Sequence, residues 1–294
     1  VPTVTTTTVT DRAHAERLCA PRDDLVAEQP GVPDEDGTEV FGLAQGPFDV
    51  WRRTVEVTDA ADNEVAVTET ITFRLATPVW RPLFTPLVRR TVVRPLARRQ
   101  KLWWLTPDRL DAATARTLSR LCVLSMAAGY LGTLLTQTNT FAKAQFGSSD
   151  TALSTMLASV RLAAVLALAV VAIADRRGRR VVLVWSGVAA CVLAATGALA
   201  PDLVWLGVSQ TAARTASTAL AIVLGIIAIE EMPAGSRAFS VSVLAMTAAL
   251  GAGGCVAALP LADVGVGGWR LLYVIPLLFA PVVWHHATRI AETR

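Results

Sequence analysis

Two short charged stretches stand out in a chain that is otherwise strongly apolar. The first reads Ala174-Asp-Arg-Arg-Gly-Arg-Arg180, and the second Glu230-Glu-Met-Pro233-Ala-Gly-Ser-Arg237. In the first, Asp175 closes one apolar run, Gly178 permits a tight turn, and Arg179 and Arg180 open the next run; Arg176 lies between. In the second, Glu230 ends an apolar run, Pro233 breaks it, and Arg237 starts another. Acids at helix ends and arginines at helix starts are the ingredients of an ion-pair cluster, and here both stretches fall on one side of a membrane. A plain positive-inside loop accounts for the charge of the first stretch but not for the order of its residues.

Arg161 and Arg214 are a second kind of signal, because each lies inside an apolar run. A cation at that position costs at least about 2.5–3.5 kcal/mol on insertion scales, so it faces the bundle interior or water. Arg161 lies about ten residues from the outer end of its run and Arg214 about eleven, so at about 1.5 Å per residue they share one depth, roughly halfway across. Two such cations suit an anionic substrate or pairing with acids; contacts to backbone carbonyls, or snorkelling, are the structural alternative. No Asp or Glu is central in any of the runs. A small polar stripe in the first run includes Ser125, Gly129, Gly132 and Thr133, with Gln137 and Asn139 able to hydrogen-bond across a cavity. Helix packing explains such a stripe equally well.

Other residue groups point to no chemistry. His285-His286 has no further ligands at metal-binding spacing, so no metal or other cofactor is expected. The glycines at 251–254 and 265–268 follow no strand, which excludes a dinucleotide loop. Cys19, Cys122, Cys191 and Cys255 show neither disulfide nor zinc spacing and read as free thiols. With three His and no nucleophile–base pattern, an enzyme is not expected.

These residues must be held by membrane helices. Of the 294 residues 53% are hydrophobic, and the mean hydropathy is +0.47. Runs long enough for a hydrocarbon core, roughly 20 residues, fall at 121–142, 152–174, 181–200, 203–229, 239–262 and 269–287. Short loops make neighbouring helices antiparallel. Arg116, Arg120, Arg176, Arg177, Arg179, Arg180, Arg237, Arg289 and Arg294 fall on one side, against Lys143 and Arg270 on the other. By the positive-inside rule the first side is cytoplasmic, and it carries both chain ends. The expected location is the cytoplasmic membrane.

Ahead of the spans the sequence changes character. Residues 1–86 carry 15 Asp/Glu and 7 Lys/Arg, and residues 87–120 carry 2 and 9. The overall net charge of +3 sums these unlike parts and gives no sign of a nucleic-acid partner. Residues 1–101 read as a cytoplasmic segment, with 1–38 mostly loop or poorly ordered. Alternation over 51–58 and 64–75, around turn residues at 59–63, predicts a β-hairpin. The stretch 80–101 follows helical spacing and is interrupted by Pro82, Pro86 and Pro95. Its Arg81, Arg89, Arg90, Arg94, Arg98, Arg99 and Lys101, with Trp103 and Trp104, suit either anionic lipid or a solvated helix face. Residues 102–120 form a basic juxtamembrane segment, 121–288 the six-helix domain, and 289–294 a short cytoplasmic end.

The charged loop resembles the signature of the major facilitator superfamily, G-x-x-x-D-R/K-x-G-R-R/K. Asp175, Arg176, Gly178, Arg179 and Arg180 match, and Val171 replaces the leading Gly. Glu230, Pro233 and Arg237 match that family's E-x-x-P-x-x-x-R-G, with Ala238 for the last Gly. Gly268-Trp269-Arg270 is similar to its G-W-R at the start of the sixth span. Arg214 sits where many members place an Arg, though Ser217, Thr218 and Ala219 replace the glycines that follow. The resemblance covers residues 115–288, one six-helix half. It implies an all-α bundle in which the loop is a charge-relay latch at the inner gate, and secondary transport of a small-molecule substrate by alternating access. Membrane lipids and a missing C-terminal half, or a second half-transporter, are the partners it implies. The chain then reads as a fragment of a twelve-span protein.

A fainter resemblance touches the soluble segment. Gly46-Pro-Phe48 leading to Trp51-Arg-Arg-Thr54, two strands and a closing helix is similar to the end of a polyketide-cyclase-like (SRPBCC) domain over 40–101. That resemblance implies hydrophobic ligands under the helix. The alternative function is therefore a membrane-anchored ligand-binding or sensing protein without transport.

Overall fold

The computed structural model describes residues 1–32, 38–60, 64–93 and 105–292, with the backbone alone for 173–175. It divides into two compact units, 1–119 with 233–236, and 120–232 with 237–294.

The first unit is a mixed α+β body. Strand β1 (Thr3–Asp11) leads into helix α1 (Arg12–Cys19). Strands β2 (Ala27–Pro30), β3 (Glu39–Gln45), β4 (Phe48–Asp59) and β5 (Glu64–Leu75) follow, and helix α2 (Arg81–Val92) closes the sheet. All pairings are antiparallel, in the order β1-β5-β4-β3-β2. The expected hairpin is the centre of this sheet, with Trp51 opposite Phe73 and Val57 opposite Val67; residues 61–63 of its turn lie outside the described residues. The expectation of loop over 1–38 is corrected, because β1 pairs with β5 along all nine of its residues. The physical reason is that Thr is polar by count but β-branched, and so suits a half-buried pleated surface. Thr3, Thr5 and Thr7 meet Thr72, Thr70 and Thr68 hydroxyl to hydroxyl at 3.2–3.3 Å on the outer face. A two-stranded hairpin is marginal in water, and these neighbours are what complete it.

The inner face is split in two. Phe48, Trp51, Ile71 and Phe73 pack under Val88 and Val92 of α2, while Phe41, Val55, Val65 and Val67 pack under Ala15 of α1. Between these clusters lies Arg53, wholly buried. Its guanidinium donates to Glu28, Glu69 and the carbonyls of Leu18 and Ala20 at 2.7–3.1 Å. It also lies 4.4 Å from the Phe41 ring centroid. Glu28 accepts from the Trp51 indole as well, at 2.9 Å. Helix α2 covers Arg81–Val92 of the stretch 80–101; Arg94, Pro95, Arg98, Arg99, Lys101, Trp103 and Trp104 lie outside the described residues.

The spans are helical as expected. The segments long and apolar enough to cross a membrane are Ala112–Phe146, Asp150–Ala172, Arg179–Leu199, Leu203–Glu231, Ala234–Val264 and Arg270–Ala287. The fold class is thus a six-helix membrane bundle with an N-terminal antiparallel sheet. Helix α3 (Ala112–Phe146) is the first span. The second is divided into α4 (Asp150–Arg161) and α5 (Ala163–Arg177), because Leu162 bonds to Ser159 in a tightened turn. Helices α6 (Arg179–Ala195), α7 (Leu203–Glu231), α8 (Arg237–Ala257) and α9 (Arg270–Ala287) complete the set.

Local chemistry sets the helix starts. Asp111 Oδ1 accepts the Thr114 amide at 2.7 Å and Asp202 Oδ1 the Trp205 amide at 2.7 Å, satisfying otherwise orphaned donors. Hydrogen bonds from Thr114 hold the Asp111 carboxyl below the usual range. Small residues set the closest packing: a Cβ on Gly129 would run into the Ala248 carbonyl, and one on Gly251 into that of Met126. Ser125 donates to the Leu244 carbonyl at 2.8 Å along the same seam. This resolves the stripe of the first span in favour of packing for Ser125 and Gly129.

The Gly268-Trp269-Arg270 triplet ties the opposite ends of three spans together. Trp269 is fully buried and donates to Gln145 at 2.6 Å, while Arg270 donates to the carbonyls of Ala198 and Ala200 at 2.8 Å. Burial within the bundle is uneven. The first, third and fourth spans are 61%, 56% and 50% buried; the second, fifth and sixth only 22%, 22% and 28%.

Candidate functional site

The charged end of the bundle is built from four helix termini and the segment after α9. Gly178 sits between α5 and α6 with φ +97°, a conformation that side-chain-bearing residues rarely adopt. The turn aims Arg179 and Arg180 in different directions. Arg179 forms an ion pair with Glu230 at the end of α7, with the two side chains 21% and 37% exposed. Arg180 donates through its guanidinium to the Thr288 carbonyl at the end of α9, and through its amide to Glu292 Oε1 at 3.4 Å. Glu292 also lies over Gly178, where a Cβ would stand 2.5 Å from its Oε1. Arg120 of α3 donates to the Arg289 carbonyl, and Arg289 meets His285 Nε2 at 2.7 Å.

The expected pairing of the Arg loop with Glu230 is therefore present in the geometry. Pro233 does what its chemistry requires, holding Met232 extended (φ −92°, ψ 144°) and ending α7. Arg237 turns back to the Met232 carbonyl at 3.4 Å and, among the described residues, does not join the loop. Arg176 is exposed. The side chain of Asp175 lies outside the described residues. Glu292 and Thr288 were not singled out in the sequence, and Arg120 and Arg289 were counted only toward orientation. The available signal for Glu292 was an acid on the side that the basic residues mark, which a count of Lys and Arg alone passes over.

The mid-span candidates are dispersed. Arg214 donates to the Gly132 carbonyl across the α7–α3 contact, the backbone-carbonyl alternative noted above. Arg161 ends α4 at the break in the second span and is exposed, without a hydrogen bond or ion pair among the described residues. Gln137 and Asn139 are half-buried on α3. No bond joins any two of these four among the described residues. Nor is there, among the described residues, a group of three or more His, Cys, Asp or Glu able to hold a metal ion.

The chain matches no protein-family model and no curated protein sequence. Among solved structures it is similar to a bacterial homologue of the human lysosomal transporter Spinster, in an inward-facing and unoccupied conformation. The identity is 20% and the TM-score 0.44, over 62% of this chain and 44% of that one. The match spans less than half the length of that protein.

Proposed function

We propose that this chain is one six-helix half of a secondary transporter that moves a small solute by alternating access. The observation that carries the reading is the Arg179–Glu230 ion pair. It clasps the start of α6 to the end of α7, using residues that the two charged motifs supply. Arg180 and Glu292 add a second clasp between the same turn and the segment after α9. Contacts of this kind hold one state of a gate, because they can be exchanged at little net cost when the helices move. Asp175, Arg176 and Gly178 belong to the same latch, while Pro233 ends α7 and Arg237 stands outside the loop. Arg161 and Arg214 line the path, with Gln137 and Asn139 beside them, and favour an anionic group on the solute.

In this reading the protein sits in the cytoplasmic membrane with its N-terminus inside, and a second six-helix body completes the pathway. Transport assayed in vesicles containing the complete transporter tests it. Asp175→Asn and Glu230→Gln should each lower uptake or efflux at least about tenfold while membrane insertion is unchanged. The double exchange Arg179→Glu with Glu230→Arg should recover part of the loss. Full transport by both single variants sinks the assignment.

The ligand-binding alternative finds less support. The space between α2 and the sheet is filled by Phe48, Trp51, Phe73, Val88 and Val92. A groove of roughly 470 Å³ beside α2 is lined by Pro2, Pro86, Arg89 and Val93.

A further inference from the structure

Three arginines converge on one carboxylate in the first unit. Asp49, at the start of β4, lies 3.8 Å from Arg74 of β5, 3.4 Å from Arg81 of α2 and 3.7 Å from Arg116 of α3. The four side chains carry a net charge of +2. Asp49 is 21% exposed and the arginines 36–46%, so the excess charge is open to a ligand.

Two of the three guanidiniums are fixed by backbone. Arg81 donates to the Leu75 carbonyl at 2.9 and 3.2 Å, and Arg116 Nε to that of Ala112 at 2.9 Å. The terminal nitrogens of Arg74 and Arg116 have no hydrogen-bond partner among the described residues. Thr77, in the turn between Arg74 and Arg81, carries a buried hydroxyl that is also without a partner among the described residues.

We propose that Arg74, Arg81 and Arg116 form a binding site for the phosphate of an anionic lipid headgroup. Three forked donors within 4 Å of one carboxylate suit a phosphate, which accepts from several guanidiniums at once. One shared carboxylate cannot neutralise three cations, and half-exposed pairs at these distances stabilise the fold little. Position selects the lipid. Arg116 is on the first turns of α3, the helix that becomes the first span, and only about five residues, or ~7 Å, before the apolar run opens. That is the depth of the phosphate layer. The site is independent of the transport reading and requires only that α3 enters a membrane.

The test uses the full chain in nanodiscs of phosphatidylcholine with a graded fraction of phosphatidylglycerol, and measures retained lipid by native mass spectrometry. Each Arg→Gln change at 74, 81 or 116 should lower phosphatidylglycerol retention about fivefold. Asp49→Asn removes the carboxylate that all three arginines share and should raise it. Glycerol 3-phosphate at millimolar concentration should not displace the lipid. Unchanged retention in the Arg variants overturns the proposal, as does unchanged or reduced retention in Asp49→Asn. Displacement by glycerol 3-phosphate assigns the site to a soluble phosphate instead, and so overturns the lipid. If the Arg variants fail to fold, the direction of the Asp49→Asn effect decides alone.

Discussion

Arg53 is the most deeply buried charged residue among the described residues of the sheet unit, at 0% exposure. It is buried with Glu28 and Glu69, and every N–H of its guanidinium has an acceptor. Removing one member of a buried ionic group leaves the others charged and unpaired, at a cost of about 3–5 kcal/mol. Arg53→Met should therefore lower the urea midpoint of the sheet unit by about 1–3 M, followed through the fluorescence of Trp51, which shares Glu28 with Arg53. An unchanged midpoint would show that the cluster is energetically neutral. Half of this arrangement was legible in the sequence. Trp51, Arg53, Val55 and Val57 alternate in phase, which puts Arg53 on the buried face. Glu28 is far away in sequence, in a stretch read as loop, so nothing local announced the partner. At the charged end of the bundle the reverse held for Arg179 and Glu230. Both stand at helix ends next to a Gly and a Pro, and residue type with span position was enough to bring them together.

At the scale of elements, hydropathy located the spans because the requirement is crude: about twenty apolar residues, whatever their partners. How the spans touch was less legible, since a stripe of small residues serves a cavity as well as a seam. The seam between α3 and α8 is now defined by Gly129 and Gly251 against opposing backbone. Backbone cannot move aside as a side chain can, so Gly129→Val should destabilise the bundle by about 1–3 kcal/mol, read as a lower thermal midpoint in detergent. A midpoint equal to that of the wild type would refute the close approach. The start of α3 gives a pH prediction. The Asp111 carboxyl is held below its ordinary value of 3.8 by its bonds to Thr114. A lowered folded-state pKa means that this stabilisation is complete above the unfolded value and is lost as pH falls through the folded one. Stability measured from pH 6 to pH 3 should thus fall more steeply for the wild type than for Asp111→Asn, which keeps the cap but does not titrate. Strand β1 was missed at this scale because its run of threonines looks polar, while its partners on β5 lie 53 to 69 positions away in the chain.

For the whole molecule, two compact units with separate cores imply two unfolding events rather than one. In a urea titration of the detergent-solubilised chain, Trp51 emission should change before the helical circular dichroism of the spans is lost. A single coincident transition would show that the units are energetically one. The uneven burial of the spans has a practical consequence as well. Leu162, Val165, Leu166 and Leu168 on the second span, and Met246 and Leu250 on the fifth, are large apolar side chains that the bundle leaves uncovered. Surrounded by acyl chains, such faces incur no penalty. In water they would be sticky over several helical turns, so chains released from the ribosome without an insertion machinery should precipitate rather than fold. The solvent that completes this protein is therefore not water, and a surfactant belt of matching thickness becomes a stoichiometric ingredient of any preparation of it.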